Sequence, residues 1–226
     1  MDEMIVFDVD GVLAEVSESY REGVVATVQH FTGKRITREL VQDYKNRGGY
    51  NNDWLLSQKI SSDLGVDVPY QTVVEEFNKL FFGNNNDGLI SRESWLPKPG
   101  LLERLSKSYE LALFTGRLQY ELDITLKRFA PQALFDPIIC AEHVTEGKPS
   151  PEGLETILKR KPGRELFYVG DTVDDARSSR AAGVPFIGVV ADSHLSRPEI
   201  LRLFEEERAI AVIENVNQIE EVLGNR

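Results

Sequence analysis

Met4-Ile5-Val6-Phe7-Asp8-Val9-Asp10-Gly11 is the stretch on which the rest of the chain turns. Four apolar residues in a row, without polar alternation, have the pattern of a short strand covered on both faces. The glycine behind the two acids marks a tight turn at the strand's end. Carboxylates placed one residue apart repel each other and resist joint ionisation unless a cation sits between them. A solvated turn would explain an isolated Asp-x-Asp-Gly equally well. The buried strand directly before it shifts the weight toward chemistry.

The same punctuation recurs further along the chain. Leu111-Ala112-Leu113-Phe114 runs into Thr115-Gly116-Arg117, and Leu166-Phe167-Tyr168-Val169 runs into Gly170-Asp171-Thr172-Val173-Asp174-Asp175. Further apolar runs at 185–190 and 209–213 read as strands. Helical spacing fills the gaps, at 118–129, around Leu154, Ile157 and Leu158, and at 174–182 before Gly183, a residue suited to closing a helix. This alternation predicts an α/β fold: a Rossmann-like open parallel sheet with helices on both faces. Polar groups that follow strand ends then lie where such sheets bind ligands. Residues 14–92 break the pattern and read as mostly helical, with apolar spacing at 20–31 and 70–82. The expected organisation is a core of 1–13 and 93–226, with 14–92 as a small helical insert after the first strand.

The residue types suggest phosphoryl chemistry. Asp8 is the candidate nucleophile and Asp10 the candidate proton donor and acceptor. Thr115, Gly116 and Arg117 offer a hydroxyl, a backbone N–H and a cation for phosphate oxygens; alternatively Thr115 caps a helix and Arg117 is solvated in its first turn. Lys148, in Glu146-Gly147-Lys148-Pro149-Ser150-Pro151, would neutralise a carboxylate cluster, although a lysine read alone is usually a surface group. Asp171 and Asp175 would join Asp8 and Asp10 around Mg²⁺, which prefers oxygen ligands. Asp175 would act as a ligand through water or would orient Lys148. Asp174 suits a helix's first turn and is set aside. In the insert, Lys45, Arg47 and Asn51 lie in a Gly-containing polar and aromatic stretch, 44–54, expected to be a substrate loop; solvated charges between helices would look the same. His30, His143 and His194 show no metal-ligand spacing.

The chain has 226 residues, with 26 basic against 37 acidic side chains and a net charge of −11. That balance disfavours a nucleic-acid grip and adsorption to an anionic membrane, while leaving room for a local anion pocket. A single cysteine, Cys140, excludes an intrachain disulfide and fits a reducing compartment. The residues before the first strand lack the basic and apolar regions of a signal peptide, and no apolar stretch is long enough to span a membrane. The expectation is a cytoplasmic protein, monomeric or homodimeric, acting on a small phosphorylated metabolite, with no nucleic-acid or membrane partner.

These motifs, in this order, resemble the haloacid dehalogenase superfamily. Asp8-Val9-Asp10-Gly11 is similar to its first motif, Thr115-Gly116 to its second, Lys148 to its third, and Gly170-Asp171 with Asp175 to its fourth. The insert resembles the C1-type cap of the subgroup containing phosphoglycolate phosphatase and β-phosphoglucomutase. The resemblance implies Asp8 as nucleophile, Asp10 as acid and base, and Mg²⁺ held by Asp8, the Asp10 carbonyl and Asp171. An acid at position 10 separates phosphatases from dehalogenases in that superfamily. The stretch from Gly48 to Trp54 looks more like a subgroup linked by name to histidine biosynthesis than like phosphoglycolate phosphatases. The expected function is a Mg²⁺-dependent phosphatase working through an aspartyl-phosphate. The alternatives are a phosphotransferase or mutase on a sugar phosphate, and a non-catalytic binding module.

Overall fold

A computed structural model describes residues 2–130, 134–194 and 196–224. Met1, Asn225 and Arg226, the outermost residues of the expected core, lie outside them. The chain divides into two compact units, Met1–Ala14 with Trp95–Arg226, and Glu15–Ser94. In chain order, β1 (Glu3–Phe7) and β2 (Ala14–Glu15) lead to α1 (Tyr20–Thr32), α2 (Arg38–Arg47), α3 (Asp53–Asp63) and α4 (Tyr70–Phe82). Then come β3 (Ser94–Trp95), α5 (Leu101–Leu105), β4 (Glu110–Phe114), α6 (Gln119–Phe129), β5 (Ile138–Ile139) and α7 (Glu152–Arg160). The chain closes with β6 (Glu165–Gly170), α8 (Val173–Ala182), β7 (Phe186–Val189), α9 (Arg197–Glu206), β8 (Ala211–Ile213) and α10 (Ile219–Leu223).

Six strands form a parallel sheet in the order β5-β4-β1-β6-β7-β8. Both faces are covered. Met4, Val6, Ala112, Phe114, Leu166, Tyr168 and Phe186 point to one side and pack on Leu154 and Ile157 of α7, Ala176 of α8 and Phe204 of α9. The alternate residues Ile5, Phe7, Leu111, Leu113, Phe167, Val169 and Ile187 are buried as well. Double burial is why these segments are continuously apolar. The register sets Phe7 beside Leu113 on one neighbour and Val169 on the other. The residues after β1, β4 and β6 therefore emerge together on one rim. Because β1 sends its neighbours to opposite sides, that rim is also the switch point of the sheet. β5, only two residues long and preceded by Pro137, is too short to show a periodicity and was not expected.

In the helical unit, α1 and α4 bring Tyr20 and Phe81 together with ring centroids 4.3 Å apart, and Phe77 stacks on Phe81 at 5.6 Å. The substrate loop expected over 44–54 needs correction. Residues 44–47 are the last turn of α2, and 53–54 begin α3. Only 48–52 is non-helical. Gly48 and Gly49 take φ of 81° and 80°, which side-chain-bearing residues rarely adopt, and Asn52 caps α3 by accepting from the N–H groups of Trp54 and Leu55 at 3.0 Å each. α2 escapes a periodicity argument because its polar sequence, RELVQDYKNR, buries few apolar residues. Among the described residues, no helix is long and apolar enough to cross a membrane.

Candidate active site

Asp8 is the first residue past β1. Its N–H donates to the Val169 carbonyl at 2.8 Å, which continues the ladder by one step and leaves the carboxylate at the rim. The chain then turns sharply, with the N–H groups of Leu13 and Ala14 donating to the Val9 carbonyl at 2.9 and 2.8 Å. Gly11 is required here twice over. Its φ is 75°, and a Cβ at this position would lie 2.0 Å from Asp171 Oδ2. The first and fourth motifs thus approach backbone to side chain.

Lys148 lies between two acids. Its Nζ is 2.8 Å from Asp8 Oδ1 and 2.7 Å from Asp175 Oδ1. It also stands 4.9 Å from the Phe114 ring centroid and 5.4 Å from that of Tyr168. Both acids and the lysine are buried. Ser178 of α8 donates to the Ser150 carbonyl at 2.8 Å, tying the lysine's loop to the helix that carries Asp175. Asp175 Oδ2 accepts from Thr172 N–H at 3.0 Å and Thr172 Oγ1 at 2.6 Å, closing the first turn of α8. Tyr168 Oη donates to Asp175 Oδ1 at 2.7 Å.

The electrostatics follow from one lysine shared among several acids. Burial pushes the Asp8 carboxyl well above its ordinary range; Lys148 opposes this, while Asp175, Asp10 and Asp171 add to it. For Asp175, burial also raises the pKa, but Lys148 and the Thr172 and Tyr168 hydroxyls outweigh it and hold the group below its ordinary value. Burial pulls Lys148 down, yet Asp175 and Asp8 more than compensate, so it is held charged. One carboxylate oxygen each of Asp8, Asp171 and Asp175 lies within 4.8 Å of the others. An all-oxygen set of acids that a single lysine leaves short of positive charge suits a hard divalent cation. The Asp10 carboxylate stands outside this trio, on Arg117.

Thr115 is buried, and its Oγ1 accepts from the Arg117 N–H at 3.2 Å. It is not a helix cap, contrary to the alternative drawn from the sequence. α6 begins at Gln119, and Glu121 accepts from the Leu118 N–H at 2.8 Å. Gly116 is exposed beside it. Arg117 departs from both expectations. Its side chain is fully buried, neither solvated nor open to a substrate, and its Nη2 lies 2.6 Å from Asp10 Oδ1. In the helical unit, Lys45 pairs with Asp53 at 2.8 Å. The Arg47 guanidinium covers the Tyr44 ring at 4.7 Å, and Asn51 is half-buried in the turn. Tyr168 and Thr172 were missed as polar partners of the cluster. The available signal was that a tyrosine in a doubly buried strand needs a partner for its hydroxyl.

A family model described as "Haloacid dehalogenase-like hydrolase" matches residues 5–189. An imidazoleglycerol-phosphate dehydratase from Phytophthora nicotianae is 35% identical over 197 residues, 82% of this chain, and the match spans only 43% of that protein's length. A phosphorylated carbohydrates phosphatase from Thermotoga maritima is 26% identical, covering 98% of this chain and 100% of that one. In three dimensions, the crystal structure of a predicted phosphoglycolate phosphatase from Haemophilus somnus aligns with a TM-score of 0.74 at 17% identity, covering 98% of this chain and 97% of that one, a likeness of fold. With the family model matched from β1 through β7, the chain belongs to the haloacid dehalogenase-like hydrolases.

Proposed function

We propose that the protein is a Mg²⁺-dependent phosphatase that hydrolyses a small phosphorylated metabolite through a phosphoryl group carried on Asp8. The observation that carries this reading is the buried cluster at the switch point, in which Asp8 shares Lys148 with Asp175 at 2.8 and 2.7 Å. An Asp8 oxygen attacks phosphorus and forms the new O–P bond while the bond to the leaving oxygen breaks. Asp10 gives its proton to that oxygen, releasing an alcohol. Water then attacks the same phosphorus, Asp10 takes up the water's proton, and Asp8 is regenerated as inorganic phosphate departs. Lys148, the Thr115 hydroxyl and the Gly116 N–H hold the phosphoryl oxygens as charge moves across them. Asp8, Asp171, Asp175 and the Asp10 carbonyl would hold Mg²⁺, which supplies the positive charge that lets Asp8 and a phosphate approach. The carboxylate trio fits that role in donor type and spacing.

The leaving group is selected by the helical unit in this reading. Arg47 is an exposed cation near the Gly48-Gly49 turn, Lys45 is committed to Asp53, and Asn51 of the same turn offers an amide. The names of the relatives set a panel: phosphoglycolate, sugar phosphates and imidazole glycerol phosphate, with p-nitrophenyl phosphate as a reference. Phosphate release is measured with Mg²⁺ and with excess chelator. Release from at least one aliphatic ester with Mg²⁺, lost on chelation, is expected. No release from any compound, or release indifferent to chelator, would overturn the reading.

A further inference from the structure

Arg117 is held in a way that neither a phosphate contact nor a surface residue requires. Its side chain is 0% exposed. Burying a guanidinium is costly unless its N–H groups are paired. Here Nε donates to Asp10 Oδ1 at 2.7 Å, Nη2 lies 2.6 Å from the same oxygen, and Nη1 donates to Thr125 Oγ1 at 2.5 Å. Thr125 is itself fully buried on α6. The Arg117 backbone is pinned too, its N–H donating to Thr115 Oγ1 at 3.2 Å and its carbonyl accepting from the Ala141 N–H at 2.9 Å. The fork is therefore braced at backbone and tip, and two of its nitrogens converge on a single oxygen of Asp10. The Asp10 side chain is 31% exposed. Its Oδ2 takes part in no hydrogen bond or ion pair among the described residues.

We propose that Arg117 is the positioning residue for Asp10, fixing Oδ1 so that Oδ2 is the oxygen that exchanges protons with the leaving group and with water. The proposal rests on the phosphatase reading above, in which Asp10 is the acid and base. Arg117 makes no substrate contact of its own, since its side chain is closed off from solvent. A planar fork sets the direction of a carboxylate, which a lysine's point charge does not. A misaimed acid matters most where the departing oxygen needs a proton. An aliphatic alkoxide does; p-nitrophenolate leaves without one.

The test compares kcat/KM for wild type, Arg117→Ala, Arg117→Lys, Thr125→Val and Asp10→Asn on two esters: p-nitrophenyl phosphate and the aliphatic monoester of the panel that wild type hydrolyses fastest. This ratio reports the steps through formation of the aspartyl-phosphate, in which the proton is delivered. Circular dichroism melts accompany each variant. Arg117→Ala is expected to lose about 100-fold on the aliphatic ester, with KM within about threefold, and under about tenfold on p-nitrophenyl phosphate, the same ranking as Asp10→Asn. Arg117→Lys and Thr125→Val should show smaller losses with that ranking, and they carry the test if Arg117→Ala does not fold. Equal losses on the two esters, or a raised KM with unchanged kcat, would overturn the proposal. Failure of the phosphatase reading is distinguishable, because wild type itself would then release no phosphate.

Discussion

In the proposed function, Lys148 is one side chain on which catalysis and folding would both depend. It is buried between Asp8 and Asp175, so deleting its charge leaves two carboxylates facing each other out of water. Lys148→Met should abolish turnover and lower unfolding free energy by about 3 kcal/mol in denaturant titrations; a variant of wild-type stability would contradict the shared pair. Arg47→Ala should behave in the opposite way. Arg47 is exposed, so its loss should leave the melting curve in place while raising KM about tenfold for an anionic substrate, and unchanged kinetics would remove it from the substrate's path. At this scale the sequence exposes groups whose chemistry is local to a motif, such as Asp8, Asp10, Lys148, Asp171 and Asp175. It does not expose partners fixed by packing. The sequence around Tyr168 and Thr125 does not name the acid or the cation that each one meets. The direction of Arg117 depends on where the β1 turn places Asp10, more than a hundred residues earlier in the chain.

Elements hold these groups in register through close packing at the sheet. Gly153 of α7 lies against Phe114 of β4, where a Cβ would come within 2.2 Å of the ring. The same ring stands beneath Lys148. Gly153→Ala should therefore lower stability by about 1–3 kcal/mol, seen as a fall in Tm, because ring and helix must separate; an unshifted Tm would show that the contact relaxes freely. Strands β1, β4 and β6 were legible because both faces are buried and each ends in a polar motif. β5 and α2 were not. The first is too short for a period, and the second carries mostly polar residues. Reading 44–54 as one loop failed for the same reason, since Gly48-Gly49 signals a turn without revealing how closely helices flank it.

For the whole molecule, net charge and paired carboxylates decide the response to acid. Burial would raise the Glu110 pKa, but Arg164 and Lys161 outweigh it and hold the group below its ordinary value. Lys59 and Tyr44 lower Asp63, and Arg104 lowers Glu220. A carboxyl lowered in the folded state contributes stability above its unfolded pKa and loses that contribution as pH falls through its folded pKa. Tm should thus drop as pH falls from about 5 to about 3, and less steeply in Glu110→Gln; a flat profile would contradict these pairs. The strand–helix alternation that gave the sheet was visible at this scale because it repeats along most of the chain. The pairing of Arg117 with Asp10 was not, because it depends on a single long-range contact.

In the proposed function, everything downstream depends on phosphorus being carried on Asp8. The direct measurement is turnover of folded Asp8→Asn on the best aliphatic ester with Mg²⁺, beside wild type. The account predicts a loss of at least about 10³-fold in kcat with an unchanged circular dichroism spectrum. Turnover near the wild-type rate from the folded variant would contradict it.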